Sequence, residues 1–209
     1  MKIIEQQNIE NILEQLFKDA KNDYFKMITG ITKGIIRPFK PADFKNAYLS
    51  ISKLQGEELK EIIINNDIKN VVEFGTSFGI STLFLAQGVL ETNGNIITTE
   101  LIESKAKRAI ENFKNAGVYD LIDVRIGDAL ETLRNFNGNI DLLFLDGWKD
   151  LYLPLFQMLA YNFNSNTIIY VDNADMSEPK DFLKTIAKTG KYDFESKHDG
   201  KAVLITLKK

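Results

Sequence analysis

The chain has no cysteine and only one histidine, His198. Without cysteine there is no disulfide framework, no thiolate chemistry and no cysteine-ligated zinc. A single histidine also excludes multi-histidine metal sites within one chain. Any metal ion that one chain binds must therefore be held by oxygen ligands, which indicates a hard cation.

Long apolar runs and a large excess of one charge are also missing. No run approaches the ~20 apolar residues of a membrane-spanning helix, and the first residues lack the apolar core of a signal peptide. We therefore expect a cytoplasmic protein. The net charge of −3 gives no general attraction to nucleic acid or to anionic membranes. Residues 31–60 are locally basic, which is typical of a solvated face and would also permit guidance of an acidic substrate.

The chain is long enough for one domain with a sizeable core. It has 209 residues, and its hydrophobic share is 44%. We expect a single domain over residues 1–209, with N-terminal helices in residues 1–66 and the core in residues 67–209. Apolar residues recur at helical spacing over residues 9–25, and this amphipathic helix would suit a homodimer contact.

The pattern along the chain predicts alternating strands and helices. Two glycines and two prolines predict a loop over residues 29–41, and a second helix is expected near residues 54–65. From residue 67 onward, short apolar runs alternate with helical stretches, as is typical of a parallel sheet wound on both faces. The predicted strands are 71–74, 95–99, 121–126, 140–145 and 167–172, and the predicted helices are 79–90, 103–116, 149–163 and 178–189.

The end of the chain departs from this alternation. Residues 192–197 and 201–207 have strand-like patterns and are joined through Asp199-Gly200, which is a strong hairpin signal. The last strand should therefore be antiparallel and inserted into an otherwise parallel sheet. The predicted fold is α/β: a doubly wound, mostly parallel seven-stranded sheet with an antiparallel C-terminal hairpin strand and added N-terminal helices.

Residues 71–82 combine a β-branched run, an acid, a glycine turn and a helix start. Glu73, Gly75 and Gly79 have the spacing E-x-G-x-x-x-G, which lacks the third glycine of the dinucleotide fingerprint. In an open α/β sheet, such a turn presents backbone N–H groups to a nucleotide-like ligand. A pyrophosphate needs the closer approach of a third glycine, whereas a nucleoside with an amino-acid tail does not. A plain tight turn between strand and helix explains the same residues.

Two further acids follow predicted strands. Glu100 ends the second strand, where an acid can accept hydrogen bonds from both hydroxyls of a ribose. Asp128 follows the third strand and is suited to the amine of an adenine ring. Taken singly, each is more often a helix cap or a solvated loop acid. Acids in register at three successive strand ends favour a nucleoside site.

The fourth and fifth strands end in Asp146 and in Asp172-Asn173. Adjacent strand ends would bring these three side chains close together. Two carboxylates and an amide oxygen form half of the octahedral shell of Mg²⁺. The alternative is that one carboxylate caps a helix and Asn173 forms a turn.

With these motifs the chain resembles the class I S-adenosylmethionine-dependent O-methyltransferases, particularly the cation-dependent catechol and caffeoyl-CoA type. The resemblance covers roughly residues 47–209. It is carried by residues 71–81, Glu100 and residues 127–128, and above all by residues 141–152 and 171–173. It implies a Rossmann-like methyltransferase fold, with residues 1–66 supplying a lid over substrate and cofactor.

The resemblance also implies a reaction and its residues. A methyl group would pass from S-adenosyl-L-methionine to a hydroxyl of a small catechol-like or phenolic acceptor. The acceptor would be chelated by Mg²⁺ or another divalent cation on Asp146, Asp172 and Asn173. Lys149, three residues beyond Asp146, would be the general base. The implied cofactor-binding residues are Ile51, Glu73, Gly75, Ser81, Glu100, Leu101, Asp128, Ala129, Asp146 and Trp148.

Some features depart from the family or leave alternatives open. Gly147 stands where the family usually has a larger residue, and the N-terminal helices match nothing that can be carried over. Residues 48–52 would form a loop over the methionine part of the cofactor. Trp148 would wall the cofactor, with ordinary core packing as the alternative. Glu195 is the nearest candidate for the family's late glutamate, which contacts the second hydroxyl of the acceptor.

Two other functions stay open. One is methylation of a hydroxylated tRNA base, which the basic residues 31–60 permit and the net charge of −3 does not favour. The other is a non-catalytic cofactor-binding protein of the same fold. The set of Asp146, Lys149, Asp172 and Asn173 argues against loss of chemistry.

Overall fold

The structure is a computed structural model that describes residues 2–30 and 51–208, with only the backbone described for residues 22–30. Residues 31–41 of the predicted loop lie outside the described residues. So do most of the basic stretch and residues 48–50 of the expected cofactor loop.

The core of the fold is a seven-stranded sheet in the order β3-β2-β1-β4-β5-β7-β6. Strands β1 to β5 are parallel, and β7 pairs antiparallel with both β5 and β6. The last strand is thus inserted between two others, which confirms the predicted fold class. The strands are β1 Asn70–Phe74, β2 Asn95–Glu100, β3 Ile122–Ile126, β4 Ile140–Leu145, β5 Phe163–Val171, β6 Tyr192–Lys197 and β7 Ala202–Leu207.

Helices cover both faces of this sheet. They are α1 Lys2–Gly30, α2 Lys53–Asn65, α3 Ile80–Thr92, α4 Glu103–Ala116, α5 Ala129–Thr132, α6 Tyr152–Leu159 and α7 Ser177–Ala187. One hydrophobic core lies beneath α1 to α4, and a second lies beneath α5 to α7. The nearly all-apolar strand β4 serves both, because Leu142 and Phe144 belong to the first core and Leu143 and Leu145 to the second.

Two helix predictions are wrong in extent. α1 begins at Lys2 rather than at Ile9, because the buried face that produces the apolar pattern starts at Ile9 while Ile3 and Ile4 are exposed. The predicted helix over residues 149–163 is limited to α6, with a 3₁₀ turn at each end, and β5 begins at Phe163 rather than at residue 167. A continuous helix from residue 149 would need an N–H at Pro154, which proline lacks.

Among the described residues, none of the helices combines the length and apolar character needed to cross a membrane.

Candidate active site

The carboxyl ends of the parallel strands form one row. Phe74 pairs with Thr99 of β2 and with Leu145 of β4, and Leu145 pairs in turn with Val171 of β5. The pairing continues one residue beyond the strands, since the N–H of Asp146 donates to the Phe74 carbonyl at 2.9 Å. The segments that leave β1, β4 and β5 therefore start side by side.

A cleft of about 910 Å³ lies over this row. With one exception, the predicted site residues line it: Ile51, Gly75, Ser81, Glu100, Leu101, Asp128, Ala129, Asp146, Trp148, Lys149, Asp172 and Asn173. The carboxyl ends of the parallel strands thus bring the residues predicted for the cofactor and those predicted for the metal ion into one cavity.

The exception is Glu73, which is fully buried beneath the cleft. Its carboxylate accepts hydrogen bonds from the hydroxyls of Ser81, Thr82 and Thr98, the last at 2.6 Å. Burial raises the pKa of Glu73, and the three hydroxyl donors oppose that rise. In this structure Glu73 fastens the first turn of α3 to β1 and β2, and so it fixes the glycine turn between them.

The glycine turn needs glycine at position 75. Gly75 has φ +109°, and a Cβ there would lie 2.8 Å from the backbone of Asp146. The turn is therefore tight because it passes directly against the segment that follows β4. Ser77 in the same turn also has a left-handed backbone, with φ 50°, which is uncommon for a residue with a side chain.

Glu100 is 9% exposed and held by two backbone donors. The N–H of Ser77 donates to Oε2 and the N–H of Ile102 donates to Oε1, both at 2.8 Å. Burial raises the pKa of Glu100, while these bonds and the charge of Lys105 lower it. Each carboxylate oxygen retains a lone pair, so Glu100 can still accept the two hydroxyls of a ribose.

Lys105 is a cleft residue that the sequence analysis missed. It is 3% exposed, and its Nζ lies 3.3 Å from Ser77 Oγ and 5.2 Å from the centre of the Phe78 ring. Burial lowers the pKa of Lys105, and the charge of Glu100 opposes this. In the sequence, Lys105 is one of several charged residues of the amphipathic helix α4. The sequence signal that pointed to the cleft is the position of Lys105 in the first turn of α4, soon after Glu100.

Asp128 caps a helix and also lines the cleft. Its Oδ1 accepts a hydrogen bond from the N–H of Leu130 at 2.9 Å, so it caps α5. Asp128 and Ala129 also line the cleft beside Gly127. The cap therefore holds the Asp128 side chain at the cleft wall.

Asp146 and Asp172 lie together at the other end of the cleft. The pKa of Asp146 is raised to about 7: burial is the largest cause, the neighbouring carboxylate of Asp172 adds to the rise, and the charge of Lys149 opposes it. Lys149 Nζ lies 3.1 Å from Asp146 Oδ1. Asp172 is 5% exposed and accepts a hydrogen bond from Gln55 Nε2 at 2.7 Å. Asp146 is thus partly exposed and paired with Lys149, whereas Asp172 is buried and bonded to the Gln55 amide.

Asn173 forms a turn after β5, and it also lines the cleft. Its backbone is left-handed, with φ 54°, and its carbonyl accepts the N–H of Met176 at 3.0 Å. Asparagine tolerates this conformation better than most residues.

The donor set at this end fits a hard cation. Among the described residues no group of three acidic, histidine or cysteine side chains could hold a metal ion, so the third protein oxygen would have to be the Asn173 amide. Two carboxylates and one amide oxygen carry more negative charge than Lys149 alone balances, and oxygen is the ligand atom that Mg²⁺ prefers.

Trp148 and Glu195 can also be placed. Trp148 is 38% exposed and lines the cleft, so it is not part of the core. Glu195 does not line the cleft; it lies on the edge strand β6, where its carboxylate is 2.6 Å from Lys197 Nζ. Glu178, in the first turn of α7, is an exposed acid that does line the cleft.

Gly147 departs from the family for a reason visible in the packing. A Cβ at this position would lie 2.5 Å from the ring of Phe74. That ring in turn packs edge-on against Tyr152, with 6.3 Å between the ring centres. The volume that a larger residue would fill at position 147 is therefore taken by Phe74.

Comparison with known proteins identifies the family. Residues 39–178 match the model of a family described as O-methyltransferase. This is more than half of the chain, so the chain belongs to the class I O-methyltransferase family, and the resemblance inferred from the motifs is confirmed.

Individual relatives agree with this assignment. The chain is 32% identical over 129 residues to a catechol O-methyltransferase of Niastella koreensis, covering 60% of this chain and 58% of that protein. It is also 32% identical over 126 residues to a catechol O-methyltransferase of Mycobacterium tuberculosis, covering 60% of this chain and 57% of that protein. The chain thus spans less than three fifths of the length of these relatives.

A solved structure shows the same fold. The SAH-bound methyltransferase of Podospora anserina superimposes with a TM-score of 0.74 at 20% identity, covering 97% of this chain and 88% of that one.

Proposed function

We propose that this chain is a divalent-cation-dependent O-methyltransferase that uses S-adenosyl-L-methionine and acts on a small catechol-like or phenolic acceptor. The observation that carries the proposal is the content of the cleft. A buried acid suited to a ribose and an oxygen donor set suited to a hard cation line the same cavity. The names of the two bacterial relatives support a catechol-like acceptor.

In the cofactor half, Glu100 would accept the ribose hydroxyls, because its two oxygens are already oriented by backbone N–H groups. Leu101, Asp128 and Ala129 would surround the adenine, and Trp148 would wall the cofactor. Ile51, Gly75 and Ser81 would lie along the methionine part. The bound cofactor supplies an electrophilic sulfonium methyl group.

In the metal half, Asp146, Asp172 and Asn173 would hold the cation. A divalent cation held there would lower the pKa of an acceptor hydroxyl. Asp146 and Asp172 would supply carboxylate oxygens, and Asn173 would add a neutral oxygen.

Lys149 would act as the general base. Its Nζ lies 3.1 Å from Asp146 Oδ1, next to the oxygens that would hold the acceptor. Lys149 Nζ accepts the hydroxyl proton while a new C–O bond replaces the C–S bond of the donor.

The test is a methyl-transfer screen with labelled S-adenosyl-L-methionine, run on catechols, phenolic thioesters and tRNA, with Mg²⁺ or with excess chelator. We expect transfer to a catechol or phenol that stops in chelator. Full activity in chelator would overturn the metal mechanism, and transfer only to tRNA would overturn the small-molecule acceptor. Failure of calorimetry to detect binding of S-adenosylhomocysteine would overturn the assignment of the cofactor.

A further inference from the structure

Gln55 is a buried polar residue that the proposed chemistry does not use. It lies in the first turn of α2 and is 8% exposed. Its Nε2 donates a hydrogen bond of 2.7 Å to Oδ1 of Asp172. Since 117 positions separate the two residues in sequence, this bond ties the start of α2 to the end of β5.

The orientation of the Gln55 amide is fixed by Ser52. Oε1 of Gln55 accepts the N–H of Ser52 at 3.1 Å and its hydroxyl at 3.0 Å. The Gln55 N–H donates back to Ser52 Oγ at 3.2 Å, which completes a capping box. A flipped amide would place Oε1 against the Asp172 carboxylate and the amide hydrogens against the Ser52 N–H. Only one orientation of the amide satisfies both neighbours.

A second set of contacts lies beside the same amide. The Tyr170 side chain, on β5, is a neighbour of Gln55. The Tyr170 hydroxyl donates to Glu58 Oε2 at 2.8 Å, and His198 Nε2 lies 2.7 Å from that oxygen. Gln55 is therefore held by the helix cap on one side and by β5 on the other.

The chemistry of this contact suits a metal ligand. The Gln55 amide donates to one oxygen of Asp172. Because the amide is uncharged, it does not compensate a carboxylate charge as a lysine would. Partners that orient metal-bound carboxylates in this way affect metal affinity strongly. Asp146 differs, since its neighbour is the charged Lys149.

We propose that Gln55 is the positioning residue for Asp172: it holds Oδ1 and leaves Oδ2 for the divalent cation. The inference rests on the proposed metal site. Ile51, which precedes the Ser52 cap, lines the cleft.

The test compares Mn²⁺ binding to the full chain, measured by electron paramagnetic resonance, with calorimetric binding of S-adenosylhomocysteine. The variants are Gln55→Met, which keeps the side-chain length, and Ser52→Ala, which removes only the hydroxyl that fixes the amide. Gln87→Met is the matched control, because Gln87 is a buried glutamine of α3 whose Oε1 has no partner among the described residues. Circular dichroism checks the fold of each variant.

We expect Gln55→Met to weaken Mn²⁺ binding about tenfold or more, while cofactor-product affinity changes less than about twofold. Ser52→Ala should weaken Mn²⁺ binding in the same direction by less, and it decides the question if Gln55→Met does not fold. If the folded variants bind Mn²⁺ as tightly as the wild type does, the role of Gln55 is overturned and the proposed metal site is not. Absence of Mn²⁺ binding to the wild type would instead overturn the proposed metal site and the inference with it.

Discussion

The two halves of the cleft hold their carboxylates by different means. In the cofactor half, Glu100 accepts two backbone N–H groups, each at 2.8 Å. In the metal half, Asp146 and Asp172 are held by the side chains of Lys149 and Gln55. Backbone donors are fixed by the course of the chain, whereas side-chain donors can be removed singly.

This difference also appears in the charge of each half. Each acid of the metal half lies beside the other, and the pKa of Asp146 is raised to about 7. In the cofactor half, backbone N–H groups already bind the Glu100 carboxylate. In the metal half, two neighbouring acids provide negative charge that a cation would balance. The two halves should respond separately to substitution, and four experiments test this separation.

The largest expected effect comes from removing a metal-half carboxylate. Asp146→Ala and Asp172→Ala should abolish metal-dependent turnover and leave most of the affinity for S-adenosylhomocysteine, because both residues are proposed as ligands of the cation. Turnover assays with Mg²⁺ and calorimetry measure the two quantities. Asp175→Asn is the control, since Asp175 is exposed and does not line the cleft. Turnover near the wild-type rate in either alanine variant would contradict the separation.

Lys149→Met should lower turnover by ~10²–10⁴ with little effect on cofactor affinity. The loss should shrink for acceptors whose hydroxyl is already acidic, because they need less help to ionise. Turnover with a series of phenols of graded acidity measures this, with the exposed Lys180→Met as the control. An equal loss for all acceptors would leave Lys149 with a packing role only.

Glu100→Ala should act on the cofactor half and weaken binding of S-adenosylhomocysteine by about 1.5–3 kcal/mol, the range for hydrogen bonds to a charged group. Mn²⁺ binding should be unchanged in the same protein. Glu103→Ala is the control, because Glu103 lies on the exposed face of α4. Calorimetry that shows wild-type affinity in the folded Glu100→Ala protein would remove the ribose role.

The last prediction concerns pH. Folding raises the pKa of Asp146 from 3.8 to about 7, so the folded state holds a proton in this interval that the unfolded chain releases. Without metal, the contribution of Asp146 to the unfolding free energy therefore falls as pH rises through this interval, by up to about 1.4 kcal/mol per pH unit, and is level above it.

Denaturant unfolding in chelator across this range measures the slope. Glu73 and Glu100 also have raised pKa values, so the difference between wild type and Asp146→Asn isolates the effect of Asp146. The slope should be shallower in Asp146→Asn, and the same slope in both proteins would show that Asp146 is not the group responsible.

The sequence predicts the strand-end acids well because a parallel sheet collects them. Glu100, Asp128, Asp146 and Asp172 each follow a strand, and the carboxyl ends of parallel strands meet at one edge. The antiparallel last strand is predicted for a similar reason, since a short turn at Asp199-Gly200 can join only adjacent antiparallel strands.

The partners of these acids could not be predicted. Gln55 contacts a residue 117 positions away, and nothing in the local pattern of α2 distinguishes it from a surface glutamine. Lys105 is hidden in the same way within an amphipathic helix. The extent of α6 was missed because apolar periodicity outweighed Pro154, whose missing N–H sets where the helix can begin.

Gly147 limits which segments of this chain could be replaced by the corresponding segments of its relatives. Phe74 occupies the room that a side chain at position 147 would need, so the two positions can change only as a pair. Phe74 also touches Tyr152, whose hydroxyl reaches the carbonyl of Asp172 at 3.3 Å. A graft that restores the bulkier family residue must therefore bring along a smaller one on β1. Otherwise the clash with Phe74 would strain its contact with Tyr152 and, through Tyr152, the backbone of Asp172.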